Sequence, residues 1–237
     1  MAPNLRRYGS RVDPLSPLLS LPGVPEAAEA ARRAVDKLLT HRSMRKHATQ
    51  VAVEAGLRCA KASASLEERD DVMDGALRIS AELRPLVETW EHAPLQALAR
   101  MHTLAAAGLV DDDALGRPST DVSARLATLV SVLETTSVPA VLVAGVVHGE
   151  LLTLDAFEGV NGIVARAAAR VVLVARGLDP RAVSVPDAGV ARDPGRYVDA
   201  ANRFAVGEVA PFLLLWCDAV AHGAVEGIAI GEALLRG

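Results

Sequence analysis

The run Val138–Val147, VPAVLVAGVV, carries no polar side chain on any face. A helix that is apolar all round has no surface to offer water, so other elements must surround it. Crossing a bilayer takes about 20 apolar residues, and this run is too short for that. It is therefore expected at the centre of a globular domain, in a helix over 138–152 with Pro139 at its start. No membrane span is expected. No secretory signal is expected either, because charges and prolines interrupt Leu5–Leu21.

The elements around that helix should also be helices. Hydrophobic residues make up 51% of the chain and aromatics only 3%, so the core is built mainly of Ala, Val and Leu. Ala and Leu are strong helix formers, and here they recur in long runs poor in Gly and Pro. The fold class is all-α. Residues 1–25 hold five prolines and read as an irregular N-terminal arm. Residues 26–91 read as N-terminal helices over 26–40, 48–62 and 72–90. Residues 92–237 read as a core with helices over 92–107, 123–134 and 138–152, one after Gly162, and others over 197–206 and 208–235. A long loop is expected over 181–196. Asp111–Asp113 reads as an acidic helix start rather than a metal site.

Net charge is −4, which gives no reason to expect a nucleic-acid partner. Cys59 and Cys217 lack any metal-ligand spacing and read as core thiols of a reduced, cytoplasmic protein.

The stretch Asp155–Gly177, DAFEGVNGIVARAAARVVLVARG, offers the clearest chemistry. A short loop reaches the Asn161–Gly162 turn and then enters a helix. The N–H groups at a helix start are unpaired and carry partial positive charge, so they suit a phosphate or carboxylate. Arg166, four residues past Gly162, projects from the same face one turn on. Backbone donors and a guanidinium could meet one anion there.

These residues resemble the signature of the Fic-domain (Fido) family, His-x-Phe-x-(Asp/Glu)-Gly-Asn-Gly-Arg-x-x-Arg. Phe157, Asn161, Gly162 and Arg166 match it. His148 resembles a histidine often found on the preceding helix. The resemblance covers roughly Ala93–Cys217 and implies a helical bundle around a central buried helix. It also implies transfer of AMP from ATP to a hydroxyl side chain. A further element resembles the family's inhibitory helix, whose motif is Ser/Thr-x-x-x-Glu-Gly/Asn. Ser63 and Glu67 match, and the resemblance implies that Glu67 pairs with Arg166.

Four departures matter. Asp155 stands in the place of the family's general-base histidine, and an ordinary carboxylate is a weak base. Gly159 replaces the acidic residue that holds Mg²⁺, so Mg²⁺ is doubtful as a cofactor. Val160 replaces the first motif glycine and Ile163 the first arginine. Too few residues lie between Gly116 and Ser123 for the family's β-hairpin flap, which should be reduced or absent. The expected protein is a degenerate Fic-like pseudoenzyme with a residual pocket for ATP or another nucleotide at Phe157, Asn161, Gly162 and Arg166. No metal ligand set is expected, and a protein partner and a homodimer stay open. Two alternatives stand beside it. One is an active transferase with Asp155 as base, assisted by His148 or Glu150. The other is a helical interaction module whose pocket is vestigial, filled by Val160 and Ile163.

Overall fold

The computed structural model describes residues 12–67 and 69–236. Its helices are α1 (Val24–Thr40), α2 (Met44–Ser65), α3 (Met73–Ala81), α4 (Leu83–His92), α5 (Pro94–Ala106) and α6 (Ser123–Thr135), followed by α7 (Ala140–Leu154), α8 (Asn161–Ala175), α9 (Pro186–Val190), α10 (Pro194–Ala205) and α11 (Val209–Arg236). No strand occurs among the described residues, where the sole β-type pairing is an isolated bridge between Ala107 and Val110. The fold is all-α, and no β-hairpin flap is present in the 116–123 segment, which holds turns and a short 3-10 helix instead.

Helix α7 is central. Val141 through Gly149 are all buried, and α7 packs on α8, α10, α11 and α1. Two glycines let bulky rings approach its backbone. A Cβ on Gly145 would lie 2.9 Å from Trp216, and one on Gly149 would lie 2.6 Å from the Phe204 ring. Trp216 also donates its indole N–H to the Val141 carbonyl at 3.0 Å, so its one polar atom is satisfied inside the core. Cys59 and Cys217 are free and buried, and burial pushes the Cys217 thiol up to about 12.

Helix α1 buries Val24, Ala28, Ala31, Val35 and Leu38, a three-and-four spacing that lines one face, and it packs chiefly on α11. On α11, Gly223, Gly227 and Gly231 recur every fourth residue. A Cβ on each would strike Val185, the Val183 carbonyl and Ser43 respectively. By length and composition α11 could cross a membrane. Here it packs on α1, α2, α7, α9 and α10.

Several boundaries differ from those expected, each for a local reason. The 72–90 segment is two helices, because Pro85 has no N–H for the Ala81 carbonyl and the chain turns at Glu82. Helix α2 starts at Met44 rather than at residue 48. Residues 181–196 are not a plain loop. Buried Asp179 accepts from the Val183 and Ser184 amides at 3.1 and 2.8 Å and from the Ser184 hydroxyl at 2.6 Å, which folds the chain back into α9. Asp193 then caps α10 by accepting from the Arg196 amide. The arm is not irregular throughout, since Ser16–Ser20 forms a 3-10 helix; residues 1–11 lie outside those described. Asp111–Asp113 lie exposed in a turn rather than at a helix start.

Candidate anion site at the start of helix α8

The loop from α7 to α8 is fastened from several directions. Asn161, the first residue of α8, accepts from the Phe157 amide at 3.3 Å and donates to the Leu151 carbonyl at 2.9 Å. Its side chain thus ties the loop to the last turn of α7. The Phe157 ring is buried, with its centroid 5.1 Å from that of His102. His102 accepts from the Gly116 amide at Nδ1, so its Nε2 carries the hydrogen and donates to the Glu158 carbonyl at 3.0 Å. Gly159 takes φ 76, a conformation that favours glycine, and its carbonyl accepts from Arg69 at 2.9 Å.

Arg166 lies one turn into α8 and is 2% exposed. Its Nε donates to the Ser63 hydroxyl at 2.7 Å and its Nη2 to the Ser63 carbonyl at 3.0 Å. Nη2 also reaches the Glu67 carboxylate. Nη1 donates to the Tyr197 hydroxyl at 3.4 Å. Burial works against the charge, but neighbouring groups, the Glu67 carboxylate among them, more than offset it, so the guanidinium stays protonated. The cation sits at the C-terminal end of α2, which carries partial negative charge. The Glu67 carboxylate lies against Gly162 at the partially positive start of α8. A Cβ on Gly162 would collide with Glu67 Oε1 and come within 3.1 Å of Arg166 Nη1. The cradle predicted for an anion therefore holds a carboxylate of the same chain.

The other expected residues do not converge on this point. Asp155 is the exposed C-cap of α7, in a left-handed turn with φ 43. No hydrogen bond joins it to His148 or Arg166 among the described residues. His148 is fully buried among Tyr197, Phe212 and Trp216, with ring centroids 5.0–5.6 Å away. Its Nε2 lies 2.8 Å from the Tyr197 hydroxyl. Burial, aided by the Arg166 charge, holds the imidazole well below its usual range, so it is neutral. Glu150 faces outward and pairs with Arg125 through two contacts at 3.0 and 3.1 Å. It does not assist Asp155 as the active-transferase alternative requires.

Tyr197 resembles a residue of the family's terminal helical region, but the sequence gives it no place in the site. Burial pushes its phenol up, against the opposing Arg166 charge, so it stays protonated while it links Arg166 to His148. The signal available was a tyrosine early in an amphipathic helix, which distinguishes it from no ordinary core tyrosine. At the place where Mg²⁺ would be held, Gly159 offers no carboxylate, and Arg69 already lies on its carbonyl. The residues present do not fit a divalent cation there. Val160 is fully buried, and Ile163 is 2% exposed beside Ala60, Ile79 and Ala167, pointing into the core.

No protein-family model matches this sequence, and no curated protein matches it. Among solved structures, the fold is similar to that of a Fic family protein from Desulfovibrio desulfuricans G20, with a TM-score of 0.72. Identity is 16%, over 88% of this chain and 75% of that one. The chain has a Fic-like fold.

Proposed function

We propose that this protein is a non-transferring member of its fold, with a nucleotide-phosphate site that its own Glu67 keeps shut. The observation that carries this is the Glu67 carboxylate at Gly162 and Arg166, where an anionic phosphate would otherwise sit. Two charges of opposite sign, each at the helix end of complementary polarity, make a self-complementary closure. Opening it exposes Arg166 and the α8 amides to a nucleotide such as ATP. Transfer chemistry is not part of the reading. Asp155 is solvated at a helix end, and Mg²⁺ has no carboxylate at Gly159. The role is binding or regulation in a cytoplasmic setting, with a protein partner as the reader of the open and shut states.

Calorimetric titration of ATP tests this. Glu67→Ala should bind at least tenfold more tightly than wild type, and adding Arg166→Ala should abolish the gain. Equal, undetectable binding by wild type and Glu67→Ala would reject the site. It would favour instead a helical interaction module with a vestigial pocket, a reading supported by the buried Val160 and Ile163. Label transfer from ATP to a protein, lost in Asp155→Ala, would overturn the non-transferring assignment.

A further inference from the structure

A sizeable opening lies away from that site. A cavity of about 710 Å³ opens between α2, the α3–α4 junction and the C-terminal half of α8. Its volume falls within the range typical of small-molecule sites. Its walls include Ala52 and Leu57 of α2, Leu77 of α3, Leu83 and Val87 of α4, and Val174 of α8. Among these apolar surfaces sits one buried cation, Arg170, which is 6% exposed.

Arg170 is under-used for a buried guanidinium. Among the described residues it makes one hydrogen bond, from Nη1 to the Ser80 hydroxyl at 3.2 Å. Its nearest acid, Asp187, stands 3.8 Å from Nε, too far for a hydrogen bond. The same carboxylate oxygen, Asp187 Oδ2, is itself buried without a hydrogen-bond partner. Asp187 does not line the large cavity, whereas Arg170 and Ser80 both do. A buried guanidinium with spare donors gains most from an acceptor that arrives from the open side. At the solvent-facing rim the exposed Glu88 and Glu91 are balanced by the exposed Arg84 and Arg181, so Arg170 is the buried charge that a ligand inside the cavity would meet.

We propose that this cavity binds a small amphiphilic monocarboxylate, its carboxylate on Arg170 and Ser80 and its flexible apolar chain along α2 and α4. The site is independent of the one at Gly162. An apolar body is needed to cover the Leu and Val walls, and a single negative charge matches the single buried cation.

The test is calorimetric titration of the full-length chain with decanoate, kept below the concentration at which it forms micelles. Decanol serves as the uncharged control and butyrate as the short one. One decanoate should bind per chain and raise the thermal unfolding midpoint in a saturable way. Decanol and butyrate should bind at least tenfold more weakly. Arg170→Lys should weaken decanoate at least tenfold while keeping the buried charge. Val53 lines the opening and is 71% exposed, so Val53→Glu leaves the core intact if the Arg170 variant fails to fold. It should also weaken decanoate at least tenfold. Absence of saturable binding, several equivalent sites per chain, equal affinity for decanol, or indifference to Val53→Glu would each overturn the proposal.

Discussion

The Glu67 carboxylate fills the space that a side chain at Gly162 would need, though 95 positions of sequence separate them. Glycine at 162 therefore has a second reason besides the helix start: it leaves room for a carboxylate from another helix end beside the first turn of α8. Gly162→Ala should force Glu67 away and leave Arg166 buried with less compensation. The expected loss is about 1–3 kcal/mol in urea unfolding. In a Glu67→Ala background the same change should cost clearly less, with a coupling of about 1 kcal/mol or more. Additive effects would mean that the two residues do not compete for one space.

His148 yields a pH-dependent stability with a definite sign. The unfolded chain takes up a proton as pH falls through about 6.5, while the buried imidazole, held below that value, does not. Stability should therefore decline on acidification from that point, with a contribution near 1.4 kcal/mol per pH unit for one proton. His148→Gln cannot titrate and keeps a partner for the Tyr197 hydroxyl. Urea midpoints of the two proteins, followed from pH 7 to pH 5, should converge as the pH falls. Parallel curves would show that His148 is accessible to protons in the native state.

Much of the architecture was legible because its signals are local. The apolar run over α7 could only be central, and it is. Arg166 and Glu67 were connected through the resemblance of two motifs, and their contact is among the described ion pairs. What escaped depends on tertiary placement. Tyr197 meets Arg166 only because α10 packs on α7 and α11, which brings its first turn to the Arg166 side chain, and nothing in its neighbours encodes that. The proline at 85 was visible, yet the apolar periodicity continues through it, so one helix was expected where two form. The five-residue α9 is too short to show a period, and it is organised by Asp179 hydrogen bonds rather than by pattern. Arg170 read as one more arginine on an apolar helix, because only packing reveals how few donors it uses.

Asp13 fastens the N-terminal segment to the turn before α7. It accepts from the Ser137 amide at 2.6 Å, from the Ser137 and Thr136 hydroxyls at 3.0 and 2.8 Å, and from the Leu15 amide at 2.9 Å. Those donors, the Ser137 amide foremost, lower its pKa from 3.8 to about 2. A lowered carboxylate pKa contributes stability above its unfolded value that disappears as pH falls through the folded one. The tether should thus hold at pH 4 and release as pH drops through about 2. Amide exchange at Ser137 should accelerate over that interval, and Asp13→Asn should show the fast exchange already at neutral pH. Slow exchange in the variant would mean that another contact holds the segment.

The pairing of α1 with α11 has a kinetic consequence. Helix α1 leaves the ribosome well before α11, and the surface that buries Val35 and Leu38 does not exist until the chain beyond Val209 has been made. Until then its apolar face has little to cover it, and the fold cannot close in installments from the N-terminus. Contacts between such distant segments slow the final step and lengthen the time for which the nascent chain is exposed to aggregation. The glycine track on α11 answers part of that hazard. Its backbone approaches closest where Gly223, Gly227 and Gly231 meet their three partners, so α11 finds one register rather than several.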